Sequence, residues 1–88
     1  MQYVGMDLHK QDLVIAVEDE RGPVGKPRRF ACRDEAAIVA HFAAHRPFRA
    51  VIEASASYRW LHERLSPLGE VVLAHPLRIR ASIGIPGT

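Results

Sequence analysis

The stretch YVGMDLHKQDLVIAV, residues 3 to 17, sets the architecture of the chain. Two apolar runs, YVGMD and LVIAV, stand on either side of a few polar residues, so two strands must turn back on each other. The connection is too short for a parallel crossover, which leaves an antiparallel pair. An aspartate, Asp7, then His9 and Lys10 occupy that tight connection, where Gly or Asn would serve a turn better. A carboxylate at this position finds its explanation in residues much further along the chain.

Outward from this hairpin, residues 2 to 7 and 12 to 18 read as the first two strands. LVIAV is apolar throughout, which predicts burial on both faces. Asp19-Glu20-Arg21-Gly22 is a turn, reinforced by Gly22-Pro23. GKPRRFA (25 to 31) reads as a weaker third strand at a sheet edge, because Pro27 removes a ladder donor and the arginines face water. Asp34 is the expected N-cap of an alanine-rich helix, EAAIVAHFAAH, with Ile38, Val39 and Phe42 as its apolar stripe and Arg46-Pro47 as its end. FRAVIE (48 to 53) is a short strand. Ser57 is the expected cap of a second helix that carries Tyr58, Leu61, Leu65 and Leu68 on one face. Pro67 falls in its last turn and Gly69 serves as its stop. EVVLA (70 to 74) is the last strand, ahead of His75-Pro76 and a basic tail with Arg78 and Arg80.

The order β-β-β-α-β-α-β, with the first three strands antiparallel and each helix a crossover between parallel strands, predicts a mixed α/β sheet with helices packed on its faces. The order is the one expected of the front part of a ribonuclease-H-like fold, whose C-terminal part is then expected to be missing.

At 88 residues the chain holds one small domain, marginal in size because so short a chain buries only about 60 to 65% of its unfolded surface. Apolar residues at 48% and charged residues at 25% argue against disorder. The net charge of +2 comes from ten arginines and two lysines against the acids, a bias that suits phosphate contact as well as an ordinary solvated surface. Cys32 is the single cysteine, which excludes an intrachain disulfide and a cysteine-based zinc site and suggests a cytoplasmic protein. No signal-peptide pattern opens the chain, and no run approaches the ~20 apolar residues that span a bilayer.

Glu53 closes its strand as Asp7 closes the first. With the first strand central and the fourth parallel beside it at ~4.8 Å, both carboxylates reach one ion. Oxygen ligands of this kind suit Mg²⁺ or Mn²⁺, which support phosphodiester chemistry by activating a nucleophile and stabilising the leaving oxygen. Two carboxylates hold such ions weakly, and Asp12, Asp19 and Glu20 are in the wrong places to add to them. Taken singly, each acid is an ordinary strand-end residue; the topology gives the pair its weight. Ser55 and Ser57 lack a His-Asp relay, so nucleophilic catalysis is not expected of them. His41 and His45 stand one helical turn apart on an alanine-rich helix, a poor zinc site. Trp60 suits either a base-stacking role or the margin of the core, and Arg28-Arg29 suit the solvated face of an edge strand.

YVGMDLHKQDLVIAV, AVIEASASYRWLHERL and VVLAHPLRIRA together resemble the DEDD transposases of bacterial insertion sequences (the IS-one-ten family, related in fold to the RuvC resolvases). That family opens with a Gly-x-Asp-x-His-Lys segment, continues with a motif close to Glu-Ala-Thr-Gly-Ser-Tyr, and has a third close to Asn-Pro-x-Arg-Val-Lys. The resemblance spans residues 1–82 as the N-terminal part of a RuvC-like catalytic domain, and leaves 83–88 as a non-matching tail. It implies catalytic, metal-binding roles for Asp7 and Glu53 in DNA strand cleavage and joining, with Mg²⁺ or Mn²⁺ as cofactor. It also implies nucleic-acid contact by His9, Lys10, Ser57, Tyr58, Arg78 and Arg80, with DNA or a structured guide RNA as partner. Ala56 replaces the family's Gly and His75 its Asn. The family's Asp-x-x-Asp pair and serine domain do not occur in the chain, so catalysis by the chain alone is not expected.

Three functions compete on these residues. The first is the N-terminal fragment of a metal-dependent DNA transposase or recombinase. The second is a non-catalytic module that associates with itself as a homo-oligomer, or with nucleic acid, through a sheet face left open. The third is a nucleotide-binding domain of the actin and sugar-kinase type. It ranks last because Leu8-His9-Lys10 follows the aspartate where that type has Gly and Ser or Thr.

Overall fold

The computed structural model describes residues 1–54 and 57–74. The chain forms β1 (Gln2–Leu8), β2 (Asp12–Asp19), β3 (Gly22–Pro23), β4 (Arg28–Ala31), α1 (Glu35–Ala44), β5 (Phe48–Ala54), α2 (Arg59–Leu65) and β6 (Glu70–Ala74). The six strands make one mixed sheet in the order β3-β2-β1-β5-β6, with β4 also paired to β2. β1 runs antiparallel to β2 and parallel to β5, and β5 runs parallel to β6. The expected α/β sheet with a central first strand is thus present. The third strand differs from its reading. It is split into β3 and β4, which take successive positions along β2. Gly25 at φ 70° turns the chain out between them, and Pro27 offers no N–H to the ladder.

Strict alternation fixes which way each strand faces. Val4, Met6 and Leu8 of β1, Leu13, Ile15 and Val17 of β2, and Phe48, Ala50 and Ile52 of β5 are buried, while the residues between them are not. The same cluster takes in Ile38 and Phe42 of α1 and Leu61 and Leu65 of α2. Both helices therefore cover one face of the sheet. This corrects the expectation of burial on both faces of LVIAV: Ala16 is exposed and Val14 only half-buried. Each fully buried aliphatic side chain contributes about 1.5–3 kcal/mol of hydrophobic stabilisation, so one face carries most of the folding energy.

The helix ends also differ in detail. Asp34 does sit at the N-cap of α1, yet its side chain makes no capping bond. α2 begins one residue later than expected, with Tyr58 at the N-cap instead of Ser57. Tyr58 accordingly stays exposed, while Leu61 and Leu65 are fully buried and Leu68 packs at the margin with Trp60. The helix stops at Leu65, so Gly69 is not its stop. A Cβ on Gly69 would lie 2.8 Å from Cε1 and 3.0 Å from the carbonyl oxygen of Phe48. Glycine is needed there because the chain passes directly over a ring that is itself held edge-on against Phe42 at 5.1 Å between centroids.

Among the described residues no helix is long and apolar enough to cross a membrane. Two glycine substitutions should move stability in opposite directions. Gly69→Ala should cost about 1–3 kcal/mol by overpacking against Phe48. Gly5→Ala, whose Cβ meets nothing within 4 Å, should stabilise by about 0.5 kcal/mol through the unfolded chain's lost freedom. Urea unfolding of the two variants reads both values.

Candidate functional site: a carboxylate pair on the open face

The parallel register of β1 and β5 pairs Tyr3 with Arg49, Gly5 with Val51, and Asp7 with Glu53. Residues paired across a ladder point to the same side. Met6, Leu8 and Ile52 point into the core, so Asp7 and Glu53 both stand on the open face. Each is the penultimate residue of its strand, and the two strands run the same way. The acids therefore meet at the C-terminal edge of the parallel part of the sheet, on strands ~4.8 Å apart, where open α/β sheets receive ligands. A shallow hollow between them is lined by Gly5, Asp7, Val14, Ala16, Val51 and Glu53.

His9 belongs to this site. Its Nε2 lies 2.9 Å from Oδ2 of Asp7, an exposed contact that becomes an ion pair when the ring is protonated. The backbone holds it in place: the His9 N–H donates to the Asp12 carbonyl at 2.8 Å and closes the hairpin. Lys10 is exposed at the tip of the same turn. A feature that sequence reasoning missed is Cys32, which ties this turn to the neighbouring strand. Its N–H donates to the Gln11 carbonyl at 2.8 Å, and its thiol lies 3.5 Å from the His9 carbonyl as donor. No local pattern signals this, because Cys32 reaches the turn only through the pairing of β4 with β2.

The other predicted residues are not gathered with the acids. Ser57 and Tyr58 are exposed just before α2, where Tyr58 shares a separate hollow with Arg59, His62 and Leu73. Arg78, Arg80 and the 83–88 tail lie outside the described residues. Among the described residues no group of three His, Cys, Asp or Glu side chains is gathered to hold a metal ion. Asp7 and Glu53 bring two carboxylates, hard oxygen donors of the kind that Mg²⁺ and Mn²⁺ prefer, to this edge. Asp12 is drawn away toward Arg29, at 3.4 Å. His41 and His45 have rings 4.7 Å apart, but His45 Nδ1 is engaged by Gln2 Oε1 at 2.7 Å. Burial, with His45 and Arg28 nearby, lowers the pKa of His41.

No protein-family model and no curated protein matches the chain. Among solved structures, one similar chain is a Bacteroides thetaiotaomicron protein with an actin-like ATPase fold and unknown function, at TM-score 0.66 and 10% identity over 96% of this chain and 37% of that one. Another is the ethanolamine utilization protein EutJ from Carboxydothermus hydrogenoformans, at TM-score 0.52 and 15% identity over 97% of this chain and 41% of that one. The chain thus spans about two fifths of the length of either, and at such identities the likeness is one of fold alone.

Burial first, and the Asp12 carboxylate second, push the Cys32 thiol above its ordinary pKa. Because the thiolate is the reactive form, the rate of Cys32 alkylation by iodoacetamide should rise with pH later than that of a free cysteine. Asp12→Asn should shift the profile back toward lower pH. Rate measurements between pH 7 and pH 10 would check both.

Proposed function

We propose that this chain is the N-terminal part of a ribonuclease-H-like nucleic-acid-processing domain, in which Asp7 and Glu53 hold Mg²⁺ or Mn²⁺ for phosphodiester cleavage and joining in a DNA transposase. The observation that carries the reading is the register of β1 and β5, which pairs the two carboxylates on the open face at the C-terminal edge of parallel strands. The resemblance of the Asp7 and Glu53 segments to the transposase motifs supports it further. In this reading the metal would polarise a phosphodiester oxygen and lower the pKa of a bound water. Asp7 and Glu53 anchor the ion, and His9 keeps the Asp7 carboxylate oriented. Lys10 would provide a charge for a backbone phosphate beside the site. The hydroxyls of Ser57 and Tyr58 would donate hydrogen bonds to phosphates, and Arg78 and Arg80 take the phosphate-contacting role that the resemblance implies. With two acids as its protein ligands, the ion would be held weakly.

A second reading comes from the neighbours with an actin-like ATPase fold, which suggest a nucleotide site at the same hairpin. Its support is thinner. The turn after Asp7 has no glycine to let a phosphate approach the backbone, and the His9 N–H is already committed to Asp12.

Titration with Mn²⁺, followed by calorimetry or by the electron paramagnetic resonance signal of the free ion, tests the choice. We expect weak binding that falls at least about tenfold in Asp7→Asn and in Glu53→Gln, with no heat on adding ATP. Mn²⁺ affinity unchanged in both variants sinks the metal role, and ATP binding lost in Asp7→Asn transfers the site to the nucleotide reading.

A further inference from the structure

The open face is a grid of three rows, read directly from the strand registers. The first row runs Glu18, Tyr3, Arg49, Glu70 across β2, β1, β5 and β6; the middle row runs Ala16, Gly5, Val51, Val72; the third runs Val14, Asp7, Glu53, Ala74. The middle row carries no polar side chain. Gly5 and Ala16 make the floor of a trough that Tyr3, Val51 and Val72 border, and those three are 41%, 40% and 46% exposed. Exposed apolar residues this contiguous mark an interaction surface.

We propose that the occupant of this face is a second copy of the same chain, packed sheet to sheet about a two-fold axis that lies along the middle row and crosses the strands. Size permits it. A sheet five strands wide at ~4.8 Å and about seven residues long at ~3.3 Å per residue presents roughly 500 Å² per copy. The pair buries about 1,000 Å², the lower bound for a specific and weak interface.

Charge selects both the partner and the axis. A two-fold along the middle row lays the first row of each copy over the third row of the other, strand over like strand. Arg49 then faces Glu53 of the second copy, the Tyr3 hydroxyl faces Asp7 of the second copy, and each contact occurs twice. Val51 and Val72 meet their own counterparts at the centre, over the space that Gly5 and Ala16 leave for the Tyr3 rings. The other two-fold available to the face, parallel to the strands, sets Asp7 over Glu53 and Glu18 over Glu70. That arrangement opposes like charges at four places. The face is therefore self-complementary in one arrangement and self-repelling in the other, the property an isologous interface requires. Within one copy Arg49 is held only loosely, 3.9 Å from Glu70 with both side chains exposed, so it is available to the opposing acid. The proposal needs no metal and does not rest on the metal reading, although a dimer of this kind would compete with an ion for Glu53.

Sedimentation equilibrium of the 88-residue chain in EDTA, from about 10 μM to about 1 mM, tests it over the affinity range expected of so small an interface. The average mass should rise from one chain to two and stop there. Val51→Lys, on an exposed position outside the core, should keep the chain monomeric throughout, with its circular dichroism unchanged. Arg49→Glu and Glu53→Arg should each weaken the dimer at least about tenfold, and the double reversal should restore it to within about threefold of the original. A monomer at the highest concentration overturns the proposal, as does a mass that climbs beyond two chains or a dimer that survives Val51→Lys. A double variant no tighter than the single ones overturns the axis and with it the assignment.

Discussion

The parallel pairing of β1 with β5 governs everything else in the domain. It joins segments far apart in the chain, so its loop-closure cost must be met by the burial it brings. Met6, Leu8, Ala50 and Ile52 meet that cost together, each at most 2% exposed. Burial also fixes the register. Sliding one strand by a single residue would turn Asp7 or Glu53 into the core against α1 and α2 and push Met6 or Ile52 into water. The juxtaposition of the two acids thus follows from hydrophobic packing on the opposite face, and needs no direct attraction between them.

The second consequence of this packing is asymmetry. Both helices lie on the same side, so the sheet has one face sealed by them and one that, among the described residues, no helix covers. The sealed face holds Phe42, Phe48, Leu61 and Leu65 closely enough that Gly69 admits no side chain. The open face carries a band of small and β-branched residues between a row containing Arg49 and a row containing Asp7 and Glu53. A domain of this size has little area to spare for such exposure, and the charge pattern around the band gives it a direction.

Much of the architecture was legible in local patterns. Alternation in YVGMD, the alanine-rich run after Asp34 and the leucines at 61 and 65 located these strands and helices, with the end of α2 set too late because Leu68 and Pro67 lie beyond it. LVIAV misled because an unbroken apolar run carries no period. Ala16 is small enough to sit at the surface, and Val14 is half-covered, without a polar residue to mark the change of face. The split of the third strand was half-visible in Gly25 and Pro27. Ser57 has the chemistry of a cap, but the helix starts after Tyr58. Gly69 looked like a helix stop, since nothing near it in the chain announces Phe48.

Local reading was enough for the elements and their order and for excluding an intrachain disulfide, because periodicity and composition are local properties. Asp7 and Glu53 became candidates only once the order of elements placed their strands side by side. It took the folded chain to put both helices on one face, to make Asp7 and Glu53 register partners on the other, and to brace the turn beside them with His9 and Cys32. Those facts belong to pairings between distant strands, and such pairings are chosen by the total burial they achieve, which no single segment encodes.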